Sequence, residues 1–151
     1  MPRPEPSATD ETGEDAIAHV GHLLRRAYQR HVALFQSGIP DAQLTAAQFA
    51  TLCAVRDLGA GSLNDVVKRT AIDQATVRGV VDRLATRGLL SVTDHQHDGR
   101  KRQLSLTPAG AALVEATVPF ARDVAERTLG DFNPAERLAL VYLLRRMSLM
   151  D

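Results

Sequence analysis

The spacing of apolar residues along the first third of the chain predicts a long amphipathic helix. Between residues 17 and 35, the residues of one face recur at intervals of three and four, which is the helical period. That face carries Ile17, Val20, Leu24, Ala27, His31 and Phe35. The breaker SGIP at residues 37–40 ends this first helix.

Three shorter helices are predicted next, each with its own start signal. Thr45 caps the second helix, which ends before Gly59, and Ser62 caps the third. The fourth lies between Asp73 as N-cap and Gly88 beyond its last turn. The chain is therefore mainly α-helical up to this point.

The pattern then changes to the alternation of β-strands. Residues 89–96 (LLSVTDHQ) and 101–107 (KRQLSLT) alternate in polarity around a short polar turn, which predicts a hairpin. Thr107 starts a long helix towards Gly130, and Asn133 caps a last one. Short helices followed by a hairpin indicate a mainly α fold with a small β-hairpin, the winged helix-turn-helix.

The terminal segments are expected to serve other roles than the winged domain. The proline-rich and acidic start has the composition of a disordered tail. The longest apolar run, residues 138–144, is too short to cross a membrane, so we expect a cytoplasmic protein with no membrane partner. The predicted division is a tail at 1–13, an N-terminal dimerisation helix at 14–42, a winged helix-turn-helix DNA-binding domain at 43–107 and C-terminal dimerisation helices at 108–151.

Positive charge is concentrated in the region of the fourth helix and the hairpin. The whole chain has 18 basic and 18 acidic residues, but residues 78–102 hold six Arg or Lys against three Asp. A local surplus of this kind favours recognition of a polyanion.

The fourth helix presents a small and polar outer face. With Val77, Val80, Val81 and Leu84 turned inward, the helical period turns outward Ala75, Thr76, Gly79, Asp82, Arg83 and Thr86, with Gln74 and Arg78 at the flanks. Glycine costs about 1 kcal/mol in a helix interior. Gly79 therefore indicates that another body comes close, either duplex DNA, which we favour, or a neighbouring helix.

Three stretches resemble the MarR family of bacterial winged-helix transcriptional regulators. They are LTAAQFATL at 44–52, ATVRGVVDRLATRGLL at 75–90 and DGRKRQLSLTPAG at 98–110. The family's D-x-R wing motif falls on Asp98 to Arg100. The family usually carries an arginine near Val92, so this wing departs from the pattern.

The outer face, the basic run and the resemblance together predict a set of DNA contacts. These are Ser62, Gln74, Thr76, Arg78, Gly79, Arg83, Asp98, Arg100, Lys101 and Arg102. Arg100 is the candidate for the minor groove, with Asp98 holding the loop. The basic run could instead be a solvated strand edge. His95, His97 and Asp98 lack a further fixed ligand nearby in sequence, so no metal site is predicted.

The terminal helices predict self-association. Ile17, Val20, Leu23, Leu24, Phe35, Leu138, Val141, Leu144 and Met147 form more apolar surface than one small domain covers. A two-fold homodimer would bury them and match a pseudo-palindromic operator. The resemblance implies the same dimer.

The resemblance also implies release from DNA by a small aromatic carboxylic acid. Arg26 and Arg30, one turn apart, could hold the carboxylate, with His19 or His22 beside them. The stretch LLRRAYQRH is similar to family members that control degradation of aromatic or nicotinate-type carboxylates.

We therefore expect a homodimeric regulator of double-stranded DNA, acting as a repressor, with no cofactor. No catalytic motif has its required context, so an enzyme is not predicted. Cys53 lies on the apolar face of the second helix, as a structural thiol does. The alternative function is a winged-helix protein-interaction module without sequence-specific DNA binding.

Overall fold

The computed structural model describes residues 13–94 and 102–149. Its helices are α1 (Gly13–Ala18), α2 (Val20–Gly38), α3 (Ala46–Leu58), α4 (Leu63–Thr70), α5 (Gln74–Thr86), α6 (Pro108–Leu129) and α7 (Pro134–Ser148). Its strands are β1 (Gly61–Ser62), β2 (Leu90–Asp94) and β3 (Arg102–Leu106).

The helix starts lie where the sequence signals place them. Thr45, Ser62 and Asn133 each form a capping box, in which the cap side chain and the side chain three residues later satisfy each other's backbone N–H groups. Asp73 caps α5 and Thr107 caps α6. The predicted helix starts of the winged domain are confirmed. They could be predicted from the sequence because each cap depends on hydrogen bonds within a few residues.

Two features differ from the sequence prediction. The first helix is divided, because the backbone of His19 leaves the helical conformation between α1 and α2. The predicted hairpin belongs to a three-stranded antiparallel sheet of order β1-β3-β2, in which Gly61 pairs with Leu104. The two residues of β1 are too few to show an alternating pattern.

The core lies within the winged domain, where α3, α4 and α5 pack against the sheet and the start of α6. The predicted inward face of α5 is confirmed, since Val77, Val80, Val81 and Leu84 are all buried. Leu52, Val55, Val66 and Leu104 are buried with them. Outward exposure of the opposite face of α5 follows from this packing.

One predicted interface residue belongs to this core instead. Phe35 is buried, and its ring centroid lies 5.6 Å from that of Phe49 in α3. The expectation that Phe35 needs a partner chain is therefore wrong. The last turn of α2 reaches back onto the winged domain, which the helical period alone could not reveal.

None of the helices in the described ranges is long and apolar enough to cross a membrane.

Candidate nucleic-acid interface

The outer face of α5 is open to solvent. Gln74, Ala75, Thr76, Arg78, Asp82, Arg83 and Thr86 are exposed, as predicted. A Cβ added at Gly79 would have no described atom within 4 Å. Among the described residues, the missing side chain therefore makes no room for a neighbouring helix of this chain.

The first turn of α5 is fixed by a bidentate cap. Asp73 accepts from the Thr76 backbone N–H at 2.9 Å and from the Thr76 hydroxyl at 2.6 Å. These two bonds lower the pKa of the Asp73 carboxyl below its ordinary value, and the bond from the hydroxyl has the larger effect. The two hydrogen bonds hold the first turn of α5 in the helical conformation.

A cleft of about 450 Å³ lies between α5, the start of α4 and the sheet. Its lining is Ser62, Leu63, Asn64, Gln74, Arg78, Val81, Asp82, Val92, Arg102 and Leu104. Four of the predicted DNA contacts, Ser62, Gln74, Arg78 and Arg102, are therefore brought together in one concave surface, although they are far apart in sequence.

Asn64 is a residue of this cleft that the sequence prediction missed. It is exposed in the first turn of α4, beside the capping residue Ser62, whose hydroxyl accepts from the Asp65 N–H at 3.2 Å. The available signal was its place at the start of the helix that precedes α5, since that helix approaches the DNA backbone in helix-turn-helix proteins.

The wing is only partly described. Arg102 is exposed at the start of β3. Val92, on β2, is 37% exposed and pairs with Leu104 on β3. The predictions for Asp98, Arg100 and Lys101, and for the histidines His95 and His97, lie outside the described residues. Arg83 is exposed on α5 but does not line the cleft.

The C-terminal end of α5 is attached to two other elements. Arg87 donates to Asp41, between α2 and α3, at 2.6 Å, and this bond is the main reason that the pKa of the Asp41 carboxyl lies below its ordinary value. The Thr107 hydroxyl, at the start of α6, donates to the Gly88 carbonyl at 2.6 Å. These contacts link the end of α5 to the segment before α3 and to the start of α6.

The predicted effector residues lie on α2 and at its N-cap. His19, His22 and Arg26 are exposed. Arg30 is engaged: its guanidinium donates to the Thr128 carbonyl at 2.5 Å and to the Arg127 carbonyl at 2.9 Å, at the end of α6. Nothing near Arg30 in sequence indicates these partners, because they lie at the far end of another helix.

The terminal helices carry most of the exposed apolar surface. No residue of α7 is buried, and Leu138 is 74% exposed. Other exposed side chains on these helices are Ile17, Val20, Leu23, Leu24, Tyr28, Phe120, Val141, Tyr142, Leu143, Leu144 and Met147. Clustered exposed apolar side chains of this kind mark interaction surfaces.

Comparison with known proteins decides the family. A sequence model of the MarR family matches residues 42–101. The HTH-type transcriptional repressor NicR of Pseudomonas putida is 49% identical over 144 residues, which cover 95% of this chain and 91% of NicR. This chain belongs to the MarR family.

Solved structures agree with this assignment. Bordetella bronchiseptica BpsR, studied for the regulation of its DNA binding by 6-hydroxynicotinic acid, is 65% identical, with a TM-score of 0.82 over 86% of this chain and 98% of BpsR. A mutant of Escherichia coli MarR in complex with operator DNA is 25% identical, with a TM-score of 0.79 over 88% of this chain and 96% of that one.

The family assignment confirms three predictions. The resemblance read from residues 44–110 is confirmed, and so is the winged-helix fold. MarR-family proteins are transcriptional regulators, so the prediction that this chain is not an enzyme is confirmed as well.

Proposed function

We propose that this MarR-family protein is a homodimeric repressor, which binds a pseudo-palindromic operator in the cytoplasm and releases it when a small aromatic carboxylic acid binds. The observation that carries the proposal is the open face of α5. It is free of bulky side chains at Gly79, it is flanked by Gln74 and Arg78, and it borders a cleft that contains Arg102.

The first half of α5 would enter the major groove. In helix-turn-helix proteins the N-terminal residues of the recognition helix contact base edges. Gln74, Thr76 and Arg78 are exposed in these turns. Ser62, Asn64, Arg83 and Arg102 would contact the sugar-phosphate backbone, as would Arg100 and Lys101 of the wing, with Arg100 in the minor groove and Asp98 holding the loop.

A second copy of the chain would cover the terminal helices. Because no residue of α7 is buried within one chain, most of its apolar side chains leave water only when another surface packs on them. Two-fold pairing would place the two α5 helices about 34 Å apart, one turn of duplex DNA. A pseudo-palindrome with half-sites at that spacing follows.

The effector would bind beside α2. A carboxylate forms its strongest hydrogen bonds with guanidinium groups, and Arg26 is exposed one turn before Arg30. His19 and His22 would complete the site. The regulation of BpsR by 6-hydroxynicotinic acid supports a pyridine carboxylate as the ligand class.

Release requires that the acid bind one dimer geometry better than the one that fits DNA. Arg30 offers a route, since it links α2 to the end of α6 through two carbonyls. A carboxylate that draws Arg30 away from those carbonyls would loosen the contact between α2 and α6. The distance between the two winged domains would change with it.

Fluorescence anisotropy with a duplex selected from random DNA tests this proposal. We expect 6-hydroxynicotinic acid to weaken wild-type binding at least about tenfold, a coupling of about 1.4 kcal/mol. Arg26→Ala should bind the duplex normally but should no longer release it. Arg25→Ala, a change in the neighbouring exposed arginine, should respond as wild type. If Arg26→Ala still releases DNA, the effector site is elsewhere.

A further inference from the structure

We infer that Thr76 specifies an A·T base pair in each half of the operator. The inference rests on the proposed function, because it assumes that the start of α5 enters the major groove. It is carried by the hydrogen bonds of the first turn of α5 and by the space around Thr76.

The hydroxyl of Thr76 can only accept a hydrogen bond from DNA. A threonine hydroxyl has one hydrogen, and Thr76 donates it to Asp73 Oδ2 at 2.6 Å. The other carboxylate oxygen, Oδ1, holds the Thr76 backbone N–H at 2.9 Å. The cap therefore leaves the exposed Thr76 side chain with two groups for a base: an acceptor oxygen and a methyl group.

The major-groove edges of the base pairs differ in how they meet these two groups. An A·T pair offers the N6 amino donor of adenine and the 5-methyl group of thymine. A G·C pair offers the N4 donor of cytosine but no methyl group. Only the A·T pair satisfies both the oxygen and the methyl group of Thr76.

The surroundings of Thr76 allow a base edge to approach. Residues three apart lie on the same side of a helix, so Gly79 is the neighbour of Thr76 on the next turn. Gly79 has no side chain, and no atom of the described residues beyond its own stretch of helix lies within 4 Å of a Cβ built on it. The Asp73 carboxylate also accepts two hydrogen bonds from Thr76, so part of its negative charge is already compensated before α5 enters the major groove.

The experiment uses the full chain and a duplex selected from random DNA. Each A·T pair is replaced in turn by G·C, by a purine that lacks the N6 amino group, and by A·U, which lacks the methyl group. For the wild type we expect one pair in each half-site at which all three changes weaken binding, with G·C costing about 5- to 150-fold.

Two variants separate the contributions of the oxygen and the methyl group. Thr76→Val should lose sensitivity to the amino group at that pair but keep sensitivity to the thymine methyl. Thr76→Ser should show the reverse. Both variants should fold, because Asp73 Oδ1 still caps the Thr76 backbone N–H.

Thr86→Val is the matched control. Thr86 is also exposed on α5, but at its other end, and its hydroxyl donates to the Asp82 carbonyl at 2.9 Å. This variant should keep the wild-type base preference. If the Thr76 variants also keep it, or weaken all duplexes equally, Thr76 only caps the helix and the inference is wrong. A wild-type chain that prefers no duplex would overturn the proposed function as well.

Discussion

At the scale of single residues, a substitution at Gly79 should affect stability and DNA binding in opposite directions. Alanine at this position meets no described atom within 4 Å and improves helix propensity. We expect Gly79→Ala to raise the free energy of unfolding by up to about 1 kcal/mol and to weaken operator binding at least about tenfold. Thermal melts and anisotropy measure the two effects. Unchanged DNA affinity would show that DNA does not approach the helix at this residue.

Gly110, unlike Gly79, has no space for a side chain. A Cβ at Gly110 would lie 2.0 Å from the Leu89 carbonyl oxygen, so the start of α6 or the chain after α5 would have to move. Gly110→Ala should therefore lower the free energy of unfolding by about 1–3 kcal/mol, the usual cost of overpacking. Gly79→Ala is the control, since the same added methyl group there is tolerated. Equal melting temperatures for the two variants would contradict this packing.

Single-residue roles were predictable where the partner is local. The capping role of Asp73 follows from its position before a helical pattern, because its partner Thr76 is three residues away. The hydrogen bonds of Arg30 to the carbonyls of Arg127 and Thr128 were not predicted, because these residues become neighbours only when α2 packs on α6. The burial of Phe35 was missed for the same reason.

At the scale of elements, the ion pair between Asp41 and Arg87 connects α5 to the segment between α2 and α3. The hydrogen bond from Arg87 lowers the pKa of Asp41 from its ordinary value of 3.8. A carboxyl with a lowered pKa in the folded state stabilises the protein above its unfolded pKa, and this contribution is lost as the pH falls through the lowered value.

Asp41→Asn should therefore be less stable than wild type at pH 7, by about 0.5–1 kcal/mol, because the side chains of Asp41 and Arg87 are only 24% and 29% exposed. The difference should shrink as the pH falls below 3.8. Denaturant unfolding at a series of pH values measures it, with Asp131→Asn, a change in an exposed aspartate after α6, as the control. A difference that does not depend on pH would show that the ion pair is not its cause.

Most elements could be predicted because hydrophobic period and caps agree in them. The valines of α5 and the Asp73 cap both define the same helix. β1 could not be predicted, since the pairing of Gly61 with Leu104 depends on the position of the folded hairpin. The cleft beside α5 likewise depends on how α4, α5 and the sheet pack.

At the scale of the whole molecule, the exposed face of α7 predicts association. Replacing Leu138, which is 74% exposed in one chain, with Glu should cost the single chain little and should disrupt a dimer. Sedimentation should show a shift from dimer towards monomer for Leu138→Glu. Ala60→Glu, at an exposed position between α3 and β1, is the control and should stay dimeric. A dimeric Leu138→Glu protein would place the interface elsewhere.

The most direct test of operator recognition compares the affinity of the full chain for a selected palindromic duplex with its affinity for a scrambled duplex, at several salt concentrations. We predict at least about a thousandfold preference for the palindrome and a steep loss of affinity as salt rises. Arg78→Ala should reduce the preference, because Arg78 is exposed in the cleft beside α5. Equal affinity for both duplexes would contradict sequence-specific DNA binding and would favour a protein-interaction role for this winged helix.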